Sequence, residues 1–153
     1  MKKIILFLVV LNMFNIHSQC VVDTECTIEP AFPTVCPINL PDGTVGDFYS
    51  EDISFYMPNQ FSDSETGFEV VLDQVIVTNI VGLPLGLDVV LSDPTGIYNP
   101  SDSEFGCANI NGTPLVSGDY TITISIQANV TVVGVGISVD QLVNFDIYMT
   151  VNE

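Results

Sequence analysis

The clearest signal in this chain is a strict alternation over residues 120–132. Tyr120, Ile122, Ile124, Ile126, Ala128, Val130 and Val132 fall on one side, with Thr121, Thr123, Ser125, Gln127, Asn129 and Thr131 on the other. Period two over that length specifies a strand with one buried and one wet face. Residues 135–151 continue the pattern, with Phe145, Ile147, Met149 and Val151 inward and Asn144, Asp146, Tyr148 and Thr150 outward. Residues 69–80 carry apolar side chains on both faces, which predicts a central strand buried on more than one side. A short apolar run at 87–91 is framed by Gly82-Leu83-Pro84-Leu85-Gly86 and Ser92-Asp93-Pro94-Thr95-Gly96. Residues 43–58 supply a further strand, with Ile53, Phe55 and Met57 at period two. No segment shows an amphipathic helical stripe with caps. Short strands separated by Gly, Pro and Asp turns predict an all-β chain folded as a β-sandwich.

The first residues differ in kind. Lys2 and Lys3 precede an apolar run from Ile4 to Phe14, and Ser18 supplies a small residue where a signal peptidase needs one. Such a run is a secretory leader, too short to span a bilayer. The expected division is a signal peptide over 1–18, a Cys- and Pro-rich strap without regular elements over 19–40 and the sandwich over 41–153. Acylation at Cys20 is the alternative processing, and His17-Ser18-Gln19 fits it poorly. The expected location is exported: secreted, periplasmic or at the cell surface, with no transmembrane helix in the mature chain.

Removal of the leader changes the charge picture. The chain's two Lys+Arg are Lys2 and Lys3 and its one His is His17, whereas all 19 Asp+Glu lie from Asp23 onward. The mature side-chain charge is therefore 0 − 19 = −19. A surface with no cation cannot replace the counterions of phosphate backbones or anionic headgroups, which excludes nucleic acid and acidic membrane surfaces as partners. Triads need a His, and Schiff-base or phosphoryl-transfer sites need a Lys or Arg. A carboxylate pair of the glycosidase kind is the acid–base chemistry left, and no Trp is present to stack on a sugar. The chain is read as a non-enzyme.

Cys20, Cys26, Cys36 and Cys107 in an exported chain imply two disulfides with three possible pairings. No C-x-x-C occurs, which argues against a redox role.

Three segments resemble a known family. Pro41-Asp42-Gly43-Thr44-Val45-Gly46-Asp47-Phe48-Tyr49-Ser50, Gly82-Leu83-Pro84-Leu85-Gly86-Leu87, and Asn111-Gly112-Thr113-Pro114 followed by Gly118-Asp119-Tyr120-Thr121 stand in the order seen in bacterial cadherin-like Ig domains of the He_PIG type. The cysteine strap and Phe105-Gly106-Cys107 add a likeness to exported Bacteroidetes proteins. The resemblance implies an immunoglobulin-like, Greek-key sandwich with a disulfide-clipped strap. It implies that Gly112, Thr113, Pro114, Gly118 and Tyr120 are structural, with Tyr120 placed as a tyrosine corner. It also implies Cys26–Cys107 and Cys20–Cys36 as the disulfides.

Acids carry the functional question. Asp42, Asp47, Glu51 and Asp52 cluster at the first strand, Asp63 and Glu65 share a polar loop, and Asp93, Asp102 and Glu104 share another region. Cadherin-like folds hold Ca²⁺ between such loops, and a hard cation wants several oxygens. Asp42, Asp47, Glu51, Asp52, Asp93, Asp102 and Glu104 are the candidate Ca²⁺ ligands, and no other cofactor is expected. The competing reading is a solvated acidic face that keeps an exported protein soluble. Phe48, Tyr49, Phe55, Tyr56, Phe61 and Phe68 are dense in the first third. An exposed row of Tyr56, Phe61 and Phe68 would favour sugar binding, and buried rings a structural role. The function expected is a non-enzymatic secreted or cell-envelope structural or interaction module whose partner is a protein or glycan. The alternative is a carbohydrate- or Ca²⁺-dependent adhesion module.

Overall fold

The strongest alternation becomes the longest hairpin. In the computed structural model, which describes residues 20–26, 34–63 and 66–153, β9 (Gly118–Val132) and β10 (Ile137–Asn152) pair antiparallel through the whole of β9. β5 (Glu69–Val81) lies on the other side of β9, with bulges near Asp73 and Thr78. β4 (Gln60–Ser62) and β7 (Ile97–Tyr98) extend β5, and β2 (Gly43–Thr44) runs parallel to the end of β10. The facing sheet holds β1 (Thr34–Cys36), β3 (Tyr49–Tyr56), β8 (Phe105–Gly112) and β6 (Leu87–Leu91) in the order β1-β3-β8-β6.

The chain crosses between sheets after β3 and after β5, visits the larger sheet at β7 between β6 and β8, and crosses again after β8. Its first strand is shared: β1 pairs antiparallel with β3, whereas β2 pairs parallel with β10. This is the immunoglobulin Greek key. Ile53 and Ile110 from one sheet meet Leu72, Ile122 and Ile147 from the other, all almost fully buried. Between the sheets a cavity of about 30 Å³ remains, lined by apolar groups such as Met57, Val75, Ala108 and Phe145. A space of that chemistry stays dry.

Three expectations are corrected. The single strand expected over 43–58 is two elements, β2 and β3, because Val45 turns away to bond Asn152 and Asp47 closes a turn on Thr44. The strap contains a regular element, β1. The disulfides are Cys20–Cys107 and Cys26–Cys36, not the pairing implied by the resemblance. The physical reason lies in how residues 20–26 dock. Val21 N–H donates to the Asp52 carboxylate at 2.9 Å and Asp23 N–H to the Ser54 hydroxyl at 2.8 Å, laying the segment along the outer side of β3. Cys20 thereby meets Cys107 on neighbouring β8, and Cys26 meets Cys36, the β1 residue opposite Ser54. The leader expected over 1–18, and Glu65, lie outside the described residues.

β8 was not legible as a strand, and its burial explains why. Cys107 and Asn109 face outward from its sheet yet are buried, Cys107 under its bridge to Cys20. Asn109 is satisfied by donating to Asp52 at 2.7 Å and to Ser50 at 3.2 Å and by accepting from Asn111 at 2.7 Å. The inward positions of β8 are Gly106, Ala108 and Ile110, and a Cβ on Gly106 would stand 2.2 Å from the Phe55 ring.

Candidate functional site

The residues singled out as structural come together at one end of the sandwich. Gly46 N–H donates to the Pro114 carbonyl at 3.0 Å, Thr113 N–H to Gly86 at 3.1 Å and Leu115 N–H to Leu85 at 2.9 Å. The three motif segments thus meet backbone to backbone around buried Pro114. Gly86 and Gly112 are held at φ of +97° and +136°, and a Cβ on either would lie 2.1 or 2.2 Å from a carbonyl oxygen of the other strand's turn. The Tyr120 hydroxyl donates to the Val116 carbonyl at 2.9 Å, four residues back, and so ties the β8–β9 crossover. Tyr120→Phe deletes that bond with little change of shape. The expected loss is about 1–2 kcal/mol in denaturant unfolding, with the fold retained.

The acids do not gather. Among the described residues, no three Asp, Glu, His or Cys side chains are grouped so as to hold a metal ion. Several instead accept hydrogen bonds from neutral donors: Asp52 from Asn109 and Val21, Asp93 from the Thr95 hydroxyl at 2.6 Å, and Glu104 from Asn59 N–H at 2.7 Å. Asp42 accepts from Asn152 at 3.3 Å, while Asp47 and Asp102 lie exposed in turns and Glu51 is half-buried on β3. Asp63 closes its loop on Thr66. On the outer face of the larger sheet Asp73 pairs with Thr131, Asp119 with Thr150, Asp140 with Asn129 and Asp146 with Thr123. In a stretch without Lys or Arg, hydroxyls and amides take the place of cations.

Two titrations carry the mark of this arrangement. The Thr95 hydroxyl and N–H hold Asp93 below its usual value, so what it adds to stability is lost as pH falls through that lowered value. Tyr49 is pushed up to about 12, first by burial and then by the Glu51 and Asp42 charges, and its hydroxyl donates to Pro41 at 3.2 Å. A raised phenol favours the fold fully below pH 10 and loses that contribution as pH climbs from about 10 to about 12. Alkaline unfolding followed by circular dichroism should show this loss, and Tyr49→Phe should move the midpoint upward.

The aromatic row does not form. Tyr56 leans on Phe105 with ring centres 5.1 Å apart, and Phe61 packs half-buried against the core. Phe68 and Phe48 are exposed singly. Tyr49 is buried, and Phe55 packs edge-on to Tyr98 at 4.9 Å.

The feature that sequence reading missed is the side of β10. β9 pairs with one edge along the whole strand. On the other, β2 reaches only Val151 and Asn152, and Ile38 and Leu40 bond only Tyr148. Among the described residues nothing pairs with this edge over 137–146. Here Ile137, Val139 and Leu142 are exposed, Leu142 by 80 %. Nearby, Asn39, Asp42, Asp119, Tyr148 and Thr150 line an open hollow of about 370 Å³. The sequence signal was available: apolar Ile137, Val139 and Val143 share the inward side with Phe145, beyond the reach of a facing strand as short as β1.

No protein-family model matches the chain, and no curated protein matches it. Among solved structures it is similar to AggA, the major subunit of aggregative adherence fimbriae type I from Escherichia coli. The two are 16 % identical, the match covers 87 % of this chain and 99 % of that one, and the TM-score is 0.40. No helix among the described residues is long and apolar enough to cross a membrane.

Proposed function

We propose that residues 20–153 form a non-enzymatic, exported immunoglobulin-like module that works by protein contact, with the unpaired side of β10 as its contact surface. The observation that carries this is that unpaired side itself, with exposed Ile137, Val139 and Leu142 along it. Natural sheets guard an open strand with Lys, Pro, a bulge or an inward charge, because its free amides and carbonyls recruit another strand. Residues 137–146 contain no Lys, Pro or bulge and no inward charge, their inward positions being Ile137, Val139, Gln141, Val143 and Phe145, and their two charges, Asp140 and Asp146, reach back over β9 to Asn129 and Thr123. Two disulfides support an oxidising compartment, whether secreted, periplasmic or at the cell surface. The meeting of the three motif segments around Pro114 supports membership among the He_PIG-type domains.

Hydrogen exchange of oxidised residues 20–153 at about 2 μM tests the reading. The outward amides of β10 over 138–146 should exchange as open groups while those bonded to β9 stay protected. Protection of both sets in the dilute monomer would mean that the edge is covered within the chain, and the reading fails.

The glycan- or Ca²⁺-binding alternative has one observation in its favour, the hollow where half-exposed Tyr148 stands beside Asp42 and Asp119. Melting in millimolar Ca²⁺, Mg²⁺ and EDTA discriminates. Coincident curves are expected, whereas a rise of about 10 °C specific to Ca²⁺ would put the ion reading first.

A further inference from the structure

We infer that two copies of this chain pair through this edge, β10 against β10, antiparallel about a two-fold axis passing beside Leu142. The inference rests on the contact surface proposed above and names its occupant.

The geometry fixes which groups are on offer. Tyr148 N–H donates to Ile38 at 2.8 Å and its carbonyl accepts from Leu40 at 2.8 Å, so both of its backbone groups face away from β9. Strand alternation turns the same groups of Ser138, Asp140, Leu142, Asn144 and Asp146 to the same edge. Their side chains do not shield it. Ser138 bonds Thr131 at 2.8 Å, Asp140 accepts from Asn129 at 2.7 Å and Asp146 accepts from Thr123 at 2.6 Å, all reaching back over β9.

That set of residues is symmetric about Leu142, its most exposed apolar member. A two-fold axis at residue 140 sets Asp140 against itself, and one at 143 sets Asp140 against Asp146 twice; like charges directly opposite are destabilising. An axis at 144 brings Asp140 to Tyr148, whose groups are already bonded within the chain. An axis at 141 sets Asp146 against Gly136, in the β9–β10 turn. An axis at 142 sets Ser138 against Asp146, Asp140 against Asn144 and Leu142 against Leu142. All the free groups are then used in about ten hydrogen bonds. On the inward side the same register sets exposed Val139 against half-buried Phe145, and Gln141 against Val143. The sheets of the two copies become one continuous sheet, and the exposed Leu142 pair closes on itself.

Charge gives the pairing a signature. Two chains bearing 19 acids each repel, so screening should strengthen their association. A cationic partner strand would show the opposite salt dependence.

The experiment is sedimentation equilibrium of oxidised residues 20–153 from about 2 μM to 1 mM, at 50 and 500 mM NaCl, with hydrogen exchange on the same samples. A monomer–dimer equilibrium with a Kd of roughly 50 μM is expected, tighter at high salt, with amide protection at 138, 140, 142, 144 and 146 rising with concentration. Leu142→Lys should weaken the dimer about tenfold or more without lowering the melting temperature. Asn144→Lys faces the second copy's Asp140 and should tighten it, and Asn144→Asp should loosen it. A monomer at every concentration with fast outward amides overturns the dimer and leaves the contact surface standing. Outward amides protected already in the dilute monomer overturn both. A dimer indifferent to residues 142 and 144, or weakened by salt, belongs to another surface and overturns the inference.

Discussion

Loss of the Cys20–Cys107 bridge lowers the stability of the domain by about 4.6 kcal/mol, against about 2.7 kcal/mol for loss of Cys26–Cys36, in the chain-entropy description of cross-links. The inequality follows from the loops they close, with separations of 87 and 10 residues. Urea unfolding of a Cys20→Ser, Cys107→Ala chain against a Cys26→Ser, Cys36→Ser chain reads both numbers. The first should melt on the order of 15 °C lower than the parent. The larger loss carries a second term, since Cys107 is buried on β8 and its removal frees the segment docked on Asp52 and Ser54. An equal or reversed ranking would mean that the long bridge joins different residues.

Gly86→Ala has the next largest effect and separates two costs usually confounded. Gly86 is held at φ +97°, where an L side chain is strained by about 1–2 kcal/mol. Its new Cβ would also stand 2.1 Å from the Thr113 carbonyl oxygen, which is backbone and cannot swing aside. The expected total exceeds about 3 kcal/mol. Gly46 is the internal control. It has φ +84° with nothing within 4 Å of an added Cβ, so Gly46→Ala should cost the strain alone. If the two substitutions cost the same in denaturant unfolding, the close approach of the 82–87 segment to the Asn-Gly-Thr-Pro turn is looser than described.

How far the sequence was readable tracks how each strand is covered. Residues 120–132 were legible because one face is dry and one is wet, and residues 87–91 because turn residues frame an apolar run; the expected bounds are those of β6 and, within two residues, β9. Inward Ile147, Met149 and Val151 were legible for the same reason. β8 was not, because its outer face lies under the strap, so buried Asn109 and small Gly106 and Ala108 stand where alternation would put polar and bulky residues. The cysteine pairing was illegible because it depends on side-chain acceptors on β3, which spacing does not encode. The acids were visible as residues, but their partners are Thr and Asn hydrogen atoms on adjacent strands, a matter of register. The open side of β10 is a property of what the neighbouring strands fail to reach, and the apolar Ile137, Val139 and Val143 announce it only once the shortness of β1 is known.

The long bridge also decides what happens when the molecule is stretched. A pull between Cys20 and Glu153 passes straight through the bridge to Cys107, so the chain between the two cysteines forms a closed ring that never feels the tension. Only the 153 − 107 = 46 residues beyond it can be drawn out, releasing about 160 Å of contour at ~3.5 Å per residue. With that one bond reduced and Cys26–Cys36 kept, the run from residue 20 lengthens the release to roughly 430 Å. While the bridge holds, the resistance is set by how β9 and β10 peel from β5 and from the facing sheet. An oxidising surrounding would give a stiff, short-travel link, and a reducing one a long, yielding tether.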